Sequence, residues 1–132
     1  MTRHIAALTL LSALASVLIA SVPAIAWSPP VLVYFQPLKD SQFAPLEAAI
    51  REALSQPPLQ LAAKPGPAVI SISVTGDIET TRKRVSGNSY SFTVMFTRDG
   101  RSLGESHQSC PASKLSDCTD QLVLDVKTVA AR

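Results

Sequence analysis

Few residues in this chain can do chemistry. Cys110 and Cys118 are its only cysteines, and His107 is its only histidine beyond residue 4. In an oxidising compartment two such cysteines close a disulfide, here joining the end of one element to the start of the next. The closed loop is short, so the chain-entropy gain is about 2–3 kcal/mol. A zinc site would draw on His107-x-x-Cys110 and Cys118, but it lacks an evident fourth ligand and competes with oxidation. A redox-active pair would be spaced Cys-x-x-Cys, which does not occur. The disulfide is therefore the expected state, with no metal and no cofactor.

His107 would have to serve any Ser-His-Asp hydrolase. No Gly-x-Ser-x-Gly elbow is present, and no second ionisable group is set beside it by sequence. A strand-borne surface histidine is the expectation, and a small hydrolase or metal-dependent enzyme centred on His107 is the alternative. Asp117, Asp120 and Asp125 fall at the start and on the outer face of a last helix, where the first two suit the helix dipole. Paired-acid chemistry needs a cleft between two carboxylates, and phosphate cradling needs a Gly-rich loop. Neither pattern is present.

Arg82-Lys83-Arg84 is the one dense charge run. It reads either as a solvated hairpin arm or guarded strand edge, or as a contact for an anion. Suitable anions are lipid A phosphates, an acidic phospholipid or an acidic protein patch. These residues are the candidate partner contact.

The elements that must position these groups follow from periodicity. Val31 to Gln36 is a short apolar run of β-formers, read as a buried strand. Asp40 or Ser41 can cap a helix reaching about Ser55, with Phe43, Leu46, Ile50 and Leu54 on one stripe. Pro45 is tolerable only in the first turn, Glu47 and Arg51 pair on the outer face, and Pro57-Pro58 stops the helix. Leu59 to Pro67 reads as a linker. Ala68 to Thr75 alternates strictly, with Ile70, Ile72 and Val74 on one face and Ser71, Ser73 and Thr75 on the other.

Gly76-Asp77 and Ser86-Gly87-Asn88 are both turn or bulge signals, so where the first hairpin closes is left open. Ser89 to Thr97 alternates again, Asp99-Gly100 is a tight-turn signal, and Arg101 to Gln108 returns. A last helix runs from about Asp117 to Ala130, capped by Ser116 or Asp117, with Leu115, Cys118, Leu122, Val126 and Val129 on its stripe. The order β-α-β-β-β-α predicts an α+β fold: a four-stranded mixed sheet, first two strands parallel, with two helices packed on one face. The Ser/Thr face (Ser71, Ser73, Thr75, Ser91, Thr93, Thr97) then meets water.

The chain has 132 residues, with twelve Lys/Arg against ten Asp/Glu. Arg3 and His4 lead the apolar run Ile5 to Ala20, followed by Pro23 and Ala24-Ile25-Ala26. This is the pattern of a secretory signal peptide, with cleavage expected after Ala26. Residues 1–26 are the leader and 27–132 a single domain. The alternative is an envelope subunit tethered by an uncleaved helix from Ile5 to Val22, at the short end of a bilayer span. Removing Arg3 leaves one net positive charge, which gives no support to bulk nucleic-acid binding. No second long apolar run follows, so no membrane span is expected after cleavage.

A signal peptide followed by β-α-β-β-β-α resembles a recurring module of bacterial envelope proteins. It is similar to the N-terminal domain of the Tol-system propeller protein and to the lipoprotein that partners the outer-membrane lipopolysaccharide translocon. The matching features are Val31 to Gln36, Phe43 to Leu54, Ala68 to Thr75 and the Tyr90-to-Gln108 hairpin turning at Asp99-Gly100. The resemblance lies in the order of elements, without a diagnostic motif. This chain lacks the lipidated cysteine and the propeller, and it is shorter than the translocon partner. The resemblance implies a non-catalytic assembly or adaptor role, with lipopolysaccharide contact sought at Arg82 to Arg84. The expectation is an exported, periplasmic or secreted domain that binds an envelope protein or anionic envelope lipid.

Overall fold

The computed structural model describes residues 29–84 and 87–132. The leader, its cleavage site after Ala26 and the alternative anchor Ile5 to Val22 lie outside the described residues. Among those described, no helix is long and apolar enough to cross a membrane.

Val31–Phe35 forms β1, and Asp40 opens a short 3-10 turn at Ser41–Phe43 by accepting the Gln42 N–H. The helix α1, Ala44–Leu54, follows with its proline in the first turn, where a missing N–H costs nothing. Leu59–Leu61 is β2, Ile70–Lys83 β3, Gly87–Arg98 β4, Arg101–Pro111 β5 and Ser116–Ala130 α2. The strands form one sheet in the order β2-β1-β3-β4-β5. β1 runs parallel to both neighbours, with Val31 opposite Leu59 and Val33 opposite Ile70, and the other pairs are antiparallel.

The α+β class and the two-helix layer are as expected, but the sheet has five strands rather than four. The added strand is β2, inside the segment read as a linker. Its three residues are flanked by Pro57-Pro58 and Pro65, too short a run to show alternation. It is held by parallel pairing and by burial of Leu59.

Side-chain alternation sends Val33, Phe35, Ile70, Ile72, Phe92, Val94 and Phe96 to one face, where they are buried with both helix stripes. Leu46, Ile50 and Leu54 come from α1, and Leu122, Val126 and Val129 from α2. Each such side chain contributes about 1.5–3 kcal/mol through removal from water. The opposite face carries the half-buried Ser/Thr rows of β3 and β4, and no helix among the described residues covers it.

The two ambiguous turn signals separate cleanly. Gly76-Asp77 is a bulge: pairing passes from Thr75↔Thr93 to Glu79↔Ser91, so three residues of β3 face one of β4. Gly76 takes the left-handed φ of 71° that such a bulge needs. The hairpin closes later, between Lys83 and Gly87. Asp99 and Gly100 have φ of 52° and 77°, as a two-residue hairpin turn matched to strand twist requires. Asp99 also accepts the Ala68 N–H at 3.2 Å, tying this turn to the entry of β3.

Three local expectations are corrected. α2 begins at Ser116 with Leu115 at its N-cap position and no side-chain cap bond. The disulfided start of the helix and the Leu115 carbonyl, which accepts from Cys118 and Thr119, fix that end instead. Glu47 and Arg51 do pair, at 3.5 Å, but they also reach inward. Glu47 accepts the Leu38 N–H at 2.6 Å, and Arg51 donates to the Phe35 carbonyl at 3.2 Å while lying over its ring. Asp125 does not face outward either. It lies over β5, where Ser106 and Gln108 donate to its carboxylate.

Candidate functional site

The cationic run sits where β3 and β4 leave the rest of the sheet. β1 makes its last pair with β3 at Phe35↔Ile72, so β3 continues through Lys83 with β4 as its one strand neighbour among the described residues. On the other flank β5 ends at Ser89↔Pro111, after which Ala112 donates to the Asn88 carbonyl at 2.8 Å. The pairs Arg82↔Asn88 and Lys83↔Gly87 extend past that end. Arg82 and Arg84 are exposed, and neither makes an ion pair among the described residues. Glu79 is the nearest acid along the strand, and alternation places it on the sheet face opposite to Arg82. A two-stranded arm thus ends in a cationic tip.

Cys110 and Cys118 are bonded, with Cα atoms 5.5 Å apart, at the end of β5 and the start of α2. Both are buried. With each sulfur bonded to the other, neither is a thiolate that could hold zinc. No group of three or more His, Cys, Asp or Glu suited to a metal occurs among the described residues.

His107 lies exposed on the face opposite α1 and α2, as a strand-borne histidine should. Its register opposite Thr93 brings two hydroxyls to it: Ser91 Oγ lies 2.9 Å from Nε2, and Thr93 Oγ1 lies 3.2 Å from Nδ1. A hydroxyl can donate or accept, so either tautomer is satisfied. The nucleophile-to-base distance of a Ser-His pair is therefore present. The group on Nδ1 is a threonine hydroxyl, however, which cannot stabilise an imidazolium as a carboxylate does. Sequence alone could not find this cluster, because it depends on the β4–β5 register, shifted by a bulge between Phe96 and Thr97.

A second polar cluster belongs to the fold. Gln108 is 2% exposed, and its Nε2 donates to Asp125 Oδ2 at 2.9 Å and to Ser106 Oγ at 2.7 Å. Ser106 donates to the same carboxylate oxygen, and Gln121 donates to Oδ1 at 3.0 Å. These bonds lock α2 onto the edge strand. Asp117 pairs with Lys114 at 3.4 Å on the surface, and Asp120 is exposed.

No protein-family model matches the chain, and no curated protein matches it. Among solved structures it is similar to a minor lipoprotein from Acinetobacter baumannii, with a TM-score of 0.45 and 13% identity over 76% of this chain and 91% of that one. It is also similar to a hypothetical protein from Chlamydia trachomatis, with a TM-score of 0.35 and 13% identity over 80% of this chain and 95% of that one. Likenesses this distant carry no argument about what the chain does.

Proposed function

We propose that this chain is an exported, non-catalytic domain that serves as a binding or assembly accessory factor of the bacterial cell envelope. Its contact is the arm tip Arg82-Lys83-Arg84, and its partner is anionic: an envelope lipid headgroup or an acidic protein surface. The observation that carries the reading is the placement of the tip, past the last pair of β5, with Arg82 and Arg84 exposed and without ion pairs among the described residues. Cations held there meet a partner without rearranging the core, and guanidinium groups suit phosphate and carboxylate oxygens. The signal-peptide pattern and the disulfide support export to an oxidising compartment.

The direct test combines fractionation with binding. The soluble envelope fraction should contain a species beginning at Trp27 with both cysteines oxidised. That species should bind vesicles containing acidic phospholipid, or an acidic protein surface, in a salt-sensitive way, and Arg82→Glu/Arg84→Glu should abolish the binding. Cytoplasmic retention, or binding unchanged by the double charge reversal, defeats the reading.

The 2.9 Å contact between Ser91 and His107 favours a second reading, a small hydrolase. It predicts that a fluorophosphonate probe phosphonylates the Ser91 hydroxyl in the native protein, with loss of fluoride, and that this labelling disappears in Ser91→Ala. The threonine on Nδ1 and the exposed setting of His107 argue for the first reading.

A further inference from the structure

A cleft of about 540 Å³ opens where β1 stops and β3 continues. Residues 36–43, leading from β1 into α1, form one wall, and the bulged stretch 74–78 of β3 forms the other. Crevices at the carboxyl ends of parallel strands are where ligands collect in open sheets, and bulges often re-aim a strand beside a site. Leu38, Phe43, Val74 and Ile78 supply the apolar part of its lining, beside Gln36, Lys39 and Asp77.

One strand edge inside this cleft has no main-chain partner among the described residues. Gln36 N–H donates to the Ile72 carbonyl at 2.9 Å, the last main-chain bond that β3 receives from the β1 side. Main-chain groups alternate sides along a strand, so the N–H and C=O of Val74 point the same way as those of Ile72. No main-chain bond from residues 36–43 reaches them. The cleft therefore presents strand hydrogen-bonding groups beside apolar side chains, the two features that an added strand uses for affinity and for side-chain selection.

Charge narrows the occupant. Lys39, Asp40 and Asp77 line the cleft, one cation against two acids, leaving one net negative charge. Asp40 is engaged by Gln42, through its N–H at 3.0 Å and its Nε2 at 2.7 Å. Asp77 makes no ion pair among the described residues. An acidic or phosphorylated ligand is disfavoured by this balance, in contrast to the arm tip.

We infer that this cleft binds an extended peptide segment of a partner protein, neutral or basic, which continues the line of β1 beside Val74 and sets an apolar side chain against Phe43 and Ile78. The site is separate from the cationic tip and does not rest on the anion reading.

The probe is a library of acetylated, amidated heptapeptides alternating apolar and polar residues, made in a lysine-containing half and a glutamate-containing half. Single acetylated amino-acid amides are the small-molecule control. The purified, oxidised protein should retain peptides from the lysine half, and these should slow exchange of the Val74 amide by about tenfold or more. Asp77→Asn, at an exposed position, should erase the preference for the lysine half. Ile78→Asp should weaken binding about tenfold, and Arg82→Glu/Arg84→Glu should leave it unchanged. The inference is overturned if neither half is retained, if the glutamate half is preferred, if the single amides bind equally well, or if bound peptides protect the β5 edge instead of Val74. Because exchange is read on the wild-type protein, a variant that fails to fold does not rescue the idea.

Discussion

Gln108 Nε2 donates to Asp125 Oδ2 at 2.9 Å, joining the edge strand β5 to the last helix through a residue that is 2% exposed. Ser106 and Gln121 share the same carboxylate, so it satisfies three donors at once. A buried amide depends on its partners, since an unmet group keeps its desolvation cost in the folded state.

Asp125→Ala should therefore destabilise the domain by about 1–3 kcal/mol, more than a surface acid would. Replacing both partners with leucine should cost less than the single change, because it removes the stranded donor as well. Chemical denaturation of the three proteins checks this.

Leu59 provides a separate test of the fifth strand. It is 3% exposed and pairs with Val31. Leu59→Ala should cost about 2–5 kcal/mol, the loss of a packed leucine. The same change in a solvated linker would stay within about 0.5 kcal/mol.

The alternation of Ile70, Ile72 and Val74, the stripe from Phe43 to Leu54, and Asp99-Gly100 each encode their structure within a few residues. Those features were legible in the sequence. β2 was not, because three residues between prolines take strand form only through pairing with β1. Inward-facing Asp125 and the Ser91–His107–Thr93 cluster were equally hidden, since each depends on which residue lies opposite across elements. The arm residues were visible as a charge run. Their placement at a tip became visible only when the Gly76-Asp77 signal proved to be a bulge and the hairpin closed at Lys83 and Gly87.

Reduction, or Cys110→Ala/Cys118→Ala, should lower stability by about 2–3 kcal/mol while leaving the fold intact. The loop is short, and both ends are already held by β5 pairing and by the α2 stripe. Thermal unfolding of oxidised and reduced protein measures the difference.

His107→Ala should change stability by less than about 1 kcal/mol, because the side chain is exposed and its two hydroxyl partners can bond to water. It should also leave binding at the arm tip unchanged. A loss of some turnover activity on this substitution would instead bring the hydrolase reading forward.

The most direct test of the central claim is photocrosslinking in living cells from a probe residue at position 84, with and without Arg82→Glu. The account predicts a crosslink to an anionic envelope lipid or an acidic envelope protein, lost on charge reversal and absent when the probe is moved to position 120 on α2. A probe at position 84 that captures nothing, or captures the same species after charge reversal, would contradict it.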